Sequence, residues 1–138
     1  MPSTKETKSL KIKLKDIQSL GMSFEGADIE TDSQAEYNFD ISISHEYNFE
    51  DEIVLAIMDI KVFESSSGSK ICTSKLKFAF HIKNLIRHTP NKTLDQKVVD
   101  LINTVSISTA RGIIFLQSQG SPLKNIILPI VDGSTLES

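Results

Sequence analysis

The sequence predicts an α+β fold, a four-stranded antiparallel sheet packed against one long helix, and three observations predict it. Through the first two thirds of the chain, apolar residues recur at every second position in four separate runs, the period of a strand with one buried face. Near residue 93 the period changes to that of an amphipathic helix. The strands come first and the helix follows, which is the order of an antiparallel sheet with helical cover rather than of alternating βαβ units. A length of 138 residues, with no internal repeat and no long linker, indicates one domain over residues 1–138.

Residues 1–8 are polar, carry Pro2 and show no periodicity, so they read as a disordered lead-in. Leu10, Ile12 and Leu14 then alternate with Lys11, Lys13 and Lys15, and the first strand continues past Gly21 to Phe24. In the second strand Tyr37, Phe39, Ile41 and Ile43 alternate with Asn38, Asp40, Ser42 and Ser44, and the polar cluster at 48–52 marks a turn. Residues 53–63 make the best central strand. Val54, Ala56, Met58, Ile60 and Val62 form one unbroken apolar face, while Ile53, Leu55 and Ile57 make part of the other apolar as well. Serines around Gly68 form a hairpin loop, and Leu76, Phe78, Phe80 and Ile82 face inward on the fourth strand against Lys75, Lys77 and His81.

The helix is expected to begin at Thr93, where T-x-x-Q matches a capping box with Gln96. Leu94, Val98, Leu101, Ile102 and Val105 follow at helical spacing, with Lys97, Asp100 and Asn103 assigned to the wet side. Gly112 is a candidate end, residues 113–116 a candidate extension, and Gly120 with Pro122 a firm stop. Residues 126–130 read as a short extended apolar segment.

Composition narrows the function classes. The chain is 39% hydrophobic and 24% charged, ordinary for a globular protein. Cys72 is its single cysteine, so no intramolecular disulfide forms, and no apolar run reaches the ~18 residues of a membrane span. The expected location is cytoplasmic, without membrane insertion. A net charge of −3 conceals a sharp asymmetry, because residues 16–60 contain twelve Asp or Glu and no Lys or Arg. A block of that sign argues against nucleic acid, whose phosphates require clustered cations, and favours a basic partner.

Chemistry-bearing motifs are missing. No G-x-G-x-x-G, P-loop, C-x-x-C, H-E-x-x-H or G-x-S-x-G occurs, and the spacing of His45, His81 and His88 does not make a metal site, so no catalytic residue, metal or cofactor is expected. The three histidines read as surface residues and Cys72 as a small buried hydrophobe. Arg111 is read at a helix end, either pairing with a carboxylate or favoured there by the macrodipole.

The last third carries a resemblance. Ser108-Thr109-Ala110-Arg111-Gly112, an apolar stretch, a Pro/Gly-bearing loop, then Ile127-Leu128-Pro129-Ile130-Val131-Asp132 and Leu136 resemble the SecB family of export chaperones. Lys15-Asp16-Ile17 and Ser23-Phe24-Glu25 are similar to that family's first strand. The resemblance implies a SecB-like fold and an ATP-independent holdase that binds unfolded client polypeptides in apolar grooves. It further implies a homo-oligomer, dimer or tetramer, with Ile113, Phe115, Leu128, Pro129 and Ile130 among the peptide-binding positions. Glu25 would match an acidic position that docks the SecA motor. Export members continue past the loop into a second helix and a tail used for SecA contact, whereas this sequence runs eight residues past Ile130. The expectation is therefore a shortened member, serving protein export or a dedicated client such as an antitoxin. Two other classes stay open on the residues alone: a small-ligand-binding α+β domain, and an interaction module that adds a strand to one native partner.

Overall fold

The computed structural model describes residues 10–24 and 37–119. Four strands form one sheet: β1 (Ile12–Phe24), β2 (Tyr37–Asn48), β3 (Ile53–Glu64) and β4 (Lys70–Ile82). One long helix, α1 (Gln96–Ser118), follows them. The sheet order is β1-β4-β3-β2 and every pairing is antiparallel, so β3 and β4 are central and β1 and β2 are the edges. β1 and β2, consecutive in sequence, thus lie on opposite edges. The expected α+β architecture is the one observed.

The alternation read in the sequence explains why these segments are strands. On β3 the even-numbered residues from Val54 to Val62 are buried, and on β4 so are the even-numbered residues from Cys72 to Ile82. All of them but Ser74 form a single hydrophobic core with Ile102, Ile107 and Ile114 of α1. The β2–β3 turn closes through Asn48, whose Oδ1 accepts from the Asp51 backbone N–H at 3.0 Å. The β3–β4 loop uses Gly68 at φ +72, a left-handed conformation that glycine adopts without strain.

Around the helix the expectations need correction. Its N-cap is Asp95, whose carboxylate accepts from the Lys97 backbone N–H at 3.1 Å, and not Thr93. Two short 3-10 turns, Leu85–His88 and Pro90–Lys92, occupy the approach, and Thr93 is the extended residue that ends the second. Gly112 does not stop the helix. An interior glycine costs about 1 kcal/mol relative to alanine, less than the burial of Ile114 two residues later supplies. Arg111 is accordingly inside the helix and not at its end. The buried stripe is also rotated from the expected one. Leu101 is exposed, whereas Asn103 is fully buried alongside Val99, Ile102, Ser106, Ile107 and Ala110. Two of the histidines are not surface residues either. His45 is half-buried, and His88 is buried in the first 3-10 turn, where its carbonyl accepts the Asp95 N–H at 2.7 Å.

Candidate functional site

The second half of α1 grades from core to surface within four residues. Ile114 is in the core, Ile113 packs on its margin, Phe115 is half-buried and Leu116 is 75% exposed. Gln117 Nε2 donates to Ser19 Oγ at 3.2 Å, which lays this end of the helix across the middle of β1. β1 is irregular there. Its register against β4 shifts between Leu14 and Asp16 and again between Ser19 and Met22, and Gly21 sits at φ +127. Extra residues in one strand of a pair bend it and increase its twist. Residues 15–21 are all exposed as a result, including Ile17 at 39% and Leu20 at 51%. The junction of α1 and β1 thus presents Ile17 and Leu116 to solvent beside the half-buried Phe115, while Leu20 stands with Asp59, Lys61 and Lys75 of the opposite sheet face.

From Leu101 to Gln119 the only charged residue is Arg111, although the outward face holds Leu101, Ser108, Gly112 and Leu116. With a mean hydropathy of 1.3 the helix is long and apolar enough to cross a membrane by composition alone, but 44% of that window is buried. Its inner face owes its apolarity to the core.

A surface depression of about 430 Å³ opens beside the second β1 irregularity, lined by Leu20, Met22, Ser23, Asp59, Lys61 and Lys75 among others. Ser23 Oγ and Thr73 Oγ1 share a hydrogen bond of 2.8 Å there. Among the described residues no group of three or more His, Cys, Asp or Glu is placed to hold a metal ion.

A second polar pair, partly buried, joins β2 to α1. His45 Nε2 donates to Asn103 Oδ1 at 2.9 Å, and Nδ1 is buried with no hydrogen-bond partner among the described residues. Burial disfavours the charged imidazolium and lowers the His45 pKa below 6.5, with the Asn103 bond acting in the opposite direction.

Of the positions implied by the resemblance, Ile113 and Phe115 fall at the α1–β1 junction, while Glu25, Leu128, Pro129 and Ile130 lie outside the described residues. Ile17, Leu20 and Leu116 were missed as site residues. The signal for Ile17 was present: apolar residues of β1 fall on even positions at 10, 12 and 14, switch to 17, and return to even at 20, 22 and 24. Each switch of parity marks a register irregularity.

No family model and no curated protein matches this sequence. Solved structures do. The chain is similar to the SecB-like chaperone Rv1957 of Mycobacterium tuberculosis, solved in complex with a ChAD peptide from the HigA1 antitoxin Rv1956, with a TM-score of 0.65 and 7% identity over 87% of this chain and 90% of that one. It is also similar to a protein of unknown function from Streptococcus agalactiae, with a TM-score of 0.51 and 6% identity over 88% of this chain and 98% of that one. At such identities the likeness is one of fold, a four-stranded antiparallel sheet with one long helix as in the SecB-like neighbour.

Proposed function

We propose that this chain is an ATP-independent SecB-like chaperone that binds non-native polypeptides along the apolar surface at the α1–β1 junction. The observation that carries the reading is the exposure of Ile17 and Leu116 on either side of the Gln117–Ser19 contact on this fold. The Mycobacterium protein was solved holding an antitoxin peptide, which supports a polypeptide client over a small ligand. The client is an exported protein or a dedicated one such as an antitoxin, met in the cytoplasm. In the export case Glu25 would dock SecA.

Energetics favour an assembly. Burying an apolar client side chain yields roughly 1.5–3 kcal/mol, so four anchors give a gross ~6–12 kcal/mol. Ordering a disordered client consumes about 2–5 kcal/mol of it. Micromolar affinity requires about 8 kcal/mol, so one surface binds weakly and tight holding needs several surfaces engaged by one client. The nearly charge-free second half of α1 supports a homo-oligomer that supplies them.

The test is suppression of aggregation of a chemically denatured, unrelated protein, without nucleotide, at about one oligomer per client. Suppression at that ratio is expected, and ATP should not change it. Aggregation that proceeds unaltered with the chain in large excess would refute the holdase and leave a dedicated native partner or the depression beside Gly21 as the site.

A further inference from the structure

The two edges of the sheet are built differently. β1 carries two register shifts, Gly21 at φ +127, and exposed Lys13 and Lys15, features that blunt an edge against further strand pairing. β2 has none of them. It pairs with β3 residue for residue from Tyr37↔Glu64 to Asn48↔Ile53 without a shift, and it contains no Pro, Lys or Arg. Among the described residues β3 is its sole strand partner, so alternate N–H and C=O groups from Asn38 to Asn48 face away from the sheet.

The two faces of this edge specify what it would accept. Phe39, Ile41 and Ile43 continue the apolar, helix-covered face, so an added strand would place apolar residues beside them. On the opposite face stand Asn38, Asp40, Ser42, Ser44 and Glu46, all exposed. Asp40 has Lys61 directly across on β3, whereas Glu46 has Leu55 and no cation opposite. Pairing of β2 with β2 of a second copy is disfavoured by the same carboxylates. The antiparallel register centred on Ile43 sets Asp40 opposite Glu46 of the other copy, twice, and the neighbouring register sets them diagonally.

We infer that the outer edge of β2 is a strand-addition site for a non-native polypeptide segment that alternates apolar residues with polar ones and carries two cations six positions apart, one beside Asp40 and one beside Glu46. The inference rests on the proposal that the chain binds non-native polypeptide, and it names how and what. Backbone hydrogen bonds along β2 supply sequence-tolerant affinity, and the two carboxylates select among clients. Neutral or small residues lie between the cations, beside Ser42 and Ser44.

The probe is a capped eleven-residue peptide that alternates Thr and Val, with Lys replacing Thr at its third and ninth positions. Its binding to the full chain is read by fluorescence anisotropy, and its location by amide hydrogen exchange. The expected result is new protection at alternate amides within residues 38–46. Replacing both lysines by glutamate should weaken binding roughly 2- to 30-fold at low salt, the range for two exposed cross-strand pairs. Charge reversal in the chain, Asp40→Lys with Glu46→Lys, should invert the preference, and N-methylation of the peptide's pairing amides should abolish binding. Protection that falls on α1 or β1 instead would overturn the inference and leave the holdase intact. Concentration-dependent protection of β2 before any peptide is added would assign the edge to a second copy and overturn it too. Peptide addition at β2 by a chain that lets denatured proteins aggregate would refute the chaperone reading alone.

Discussion

Truncating Asn103 to alanine isolates the buried polar contact between β2 and α1. Asn103 is fully buried, and its Oδ1 accepts the His45 Nε2–H at 2.9 Å. Alanine leaves that ring N–H without its acceptor, which costs about 1–3 kcal/mol for a buried donor. The better helix propensity of alanine offsets about 0.5 kcal/mol. A net loss of about 0.5–2.5 kcal/mol is therefore expected, read as a lower urea midpoint at unchanged slope, at fixed protein concentration. His45→Phe combined with Asn103→Leu removes both polar partners at once and should come much closer to the wild type than the sum of the single changes.

The pH dependence has a definite sign. The folded His45 pKa is lowered by burial, so as pH falls below about 6.5 the unfolded chain takes up a proton that the folded chain refuses. This contribution is complete above 6.5, declines through that value, and levels off below the folded pKa. His45→Phe should abolish that part of the pH dependence. A neutral Asn103→Ala, or an acid limb unchanged in His45→Phe, would refute the reasoning.

Further predictions separate core from site. Ile114→Ala should destabilise by about 2–5 kcal/mol, while Leu116→Ser should leave stability within about 0.5 kcal/mol and weaken binding of a denatured client, measured by denaturant melts and anisotropy on both variants. Asp95→Ala removes the helix cap and should cost about 0.5–2 kcal/mol, whereas Thr93→Ala should be nearly silent, a comparison made by thermal melts. Glu52→Ala removes the carboxylate that accepts from the Asn84 and Leu85 backbone N–H groups at 2.7 and 3.3 Å. It should speed amide exchange in the first 3-10 turn while the sheet stays protected.

The sheet was legible because strand periodicity survives wherever one face is buried. Even-numbered residues of β3 and β4 gave both the strands and their inner face. The helix was legible in existence but not in rotation, because a buried Asn reads as polar until its partner is known. His45 lies 58 residues away in sequence, and no local pattern links it to Asn103. Thr93 lost the cap to Asp95 for a similar reason. Both offer an acceptor oxygen, and the choice was made by the chain's path through Pro90 and by Asn91 and Lys92 at positive φ. Of the candidate site, Ile113 and Phe115 came from the resemblance. The exposure of Ile17 and Leu20 depended on how much of the edge strand β1 the helix covers, a tertiary property that the parity switches do not give.

The most direct test of the central claim is the affinity of the chain for one protein in two states, its native form and a reduced, carboxymethylated form that cannot fold. Saturable binding of the unfolded form is expected, unaffected by ATP and weakened by Leu116→Ser, with no binding of the native form. Equal affinity for both states, or none for the unfolded one, would contradict it.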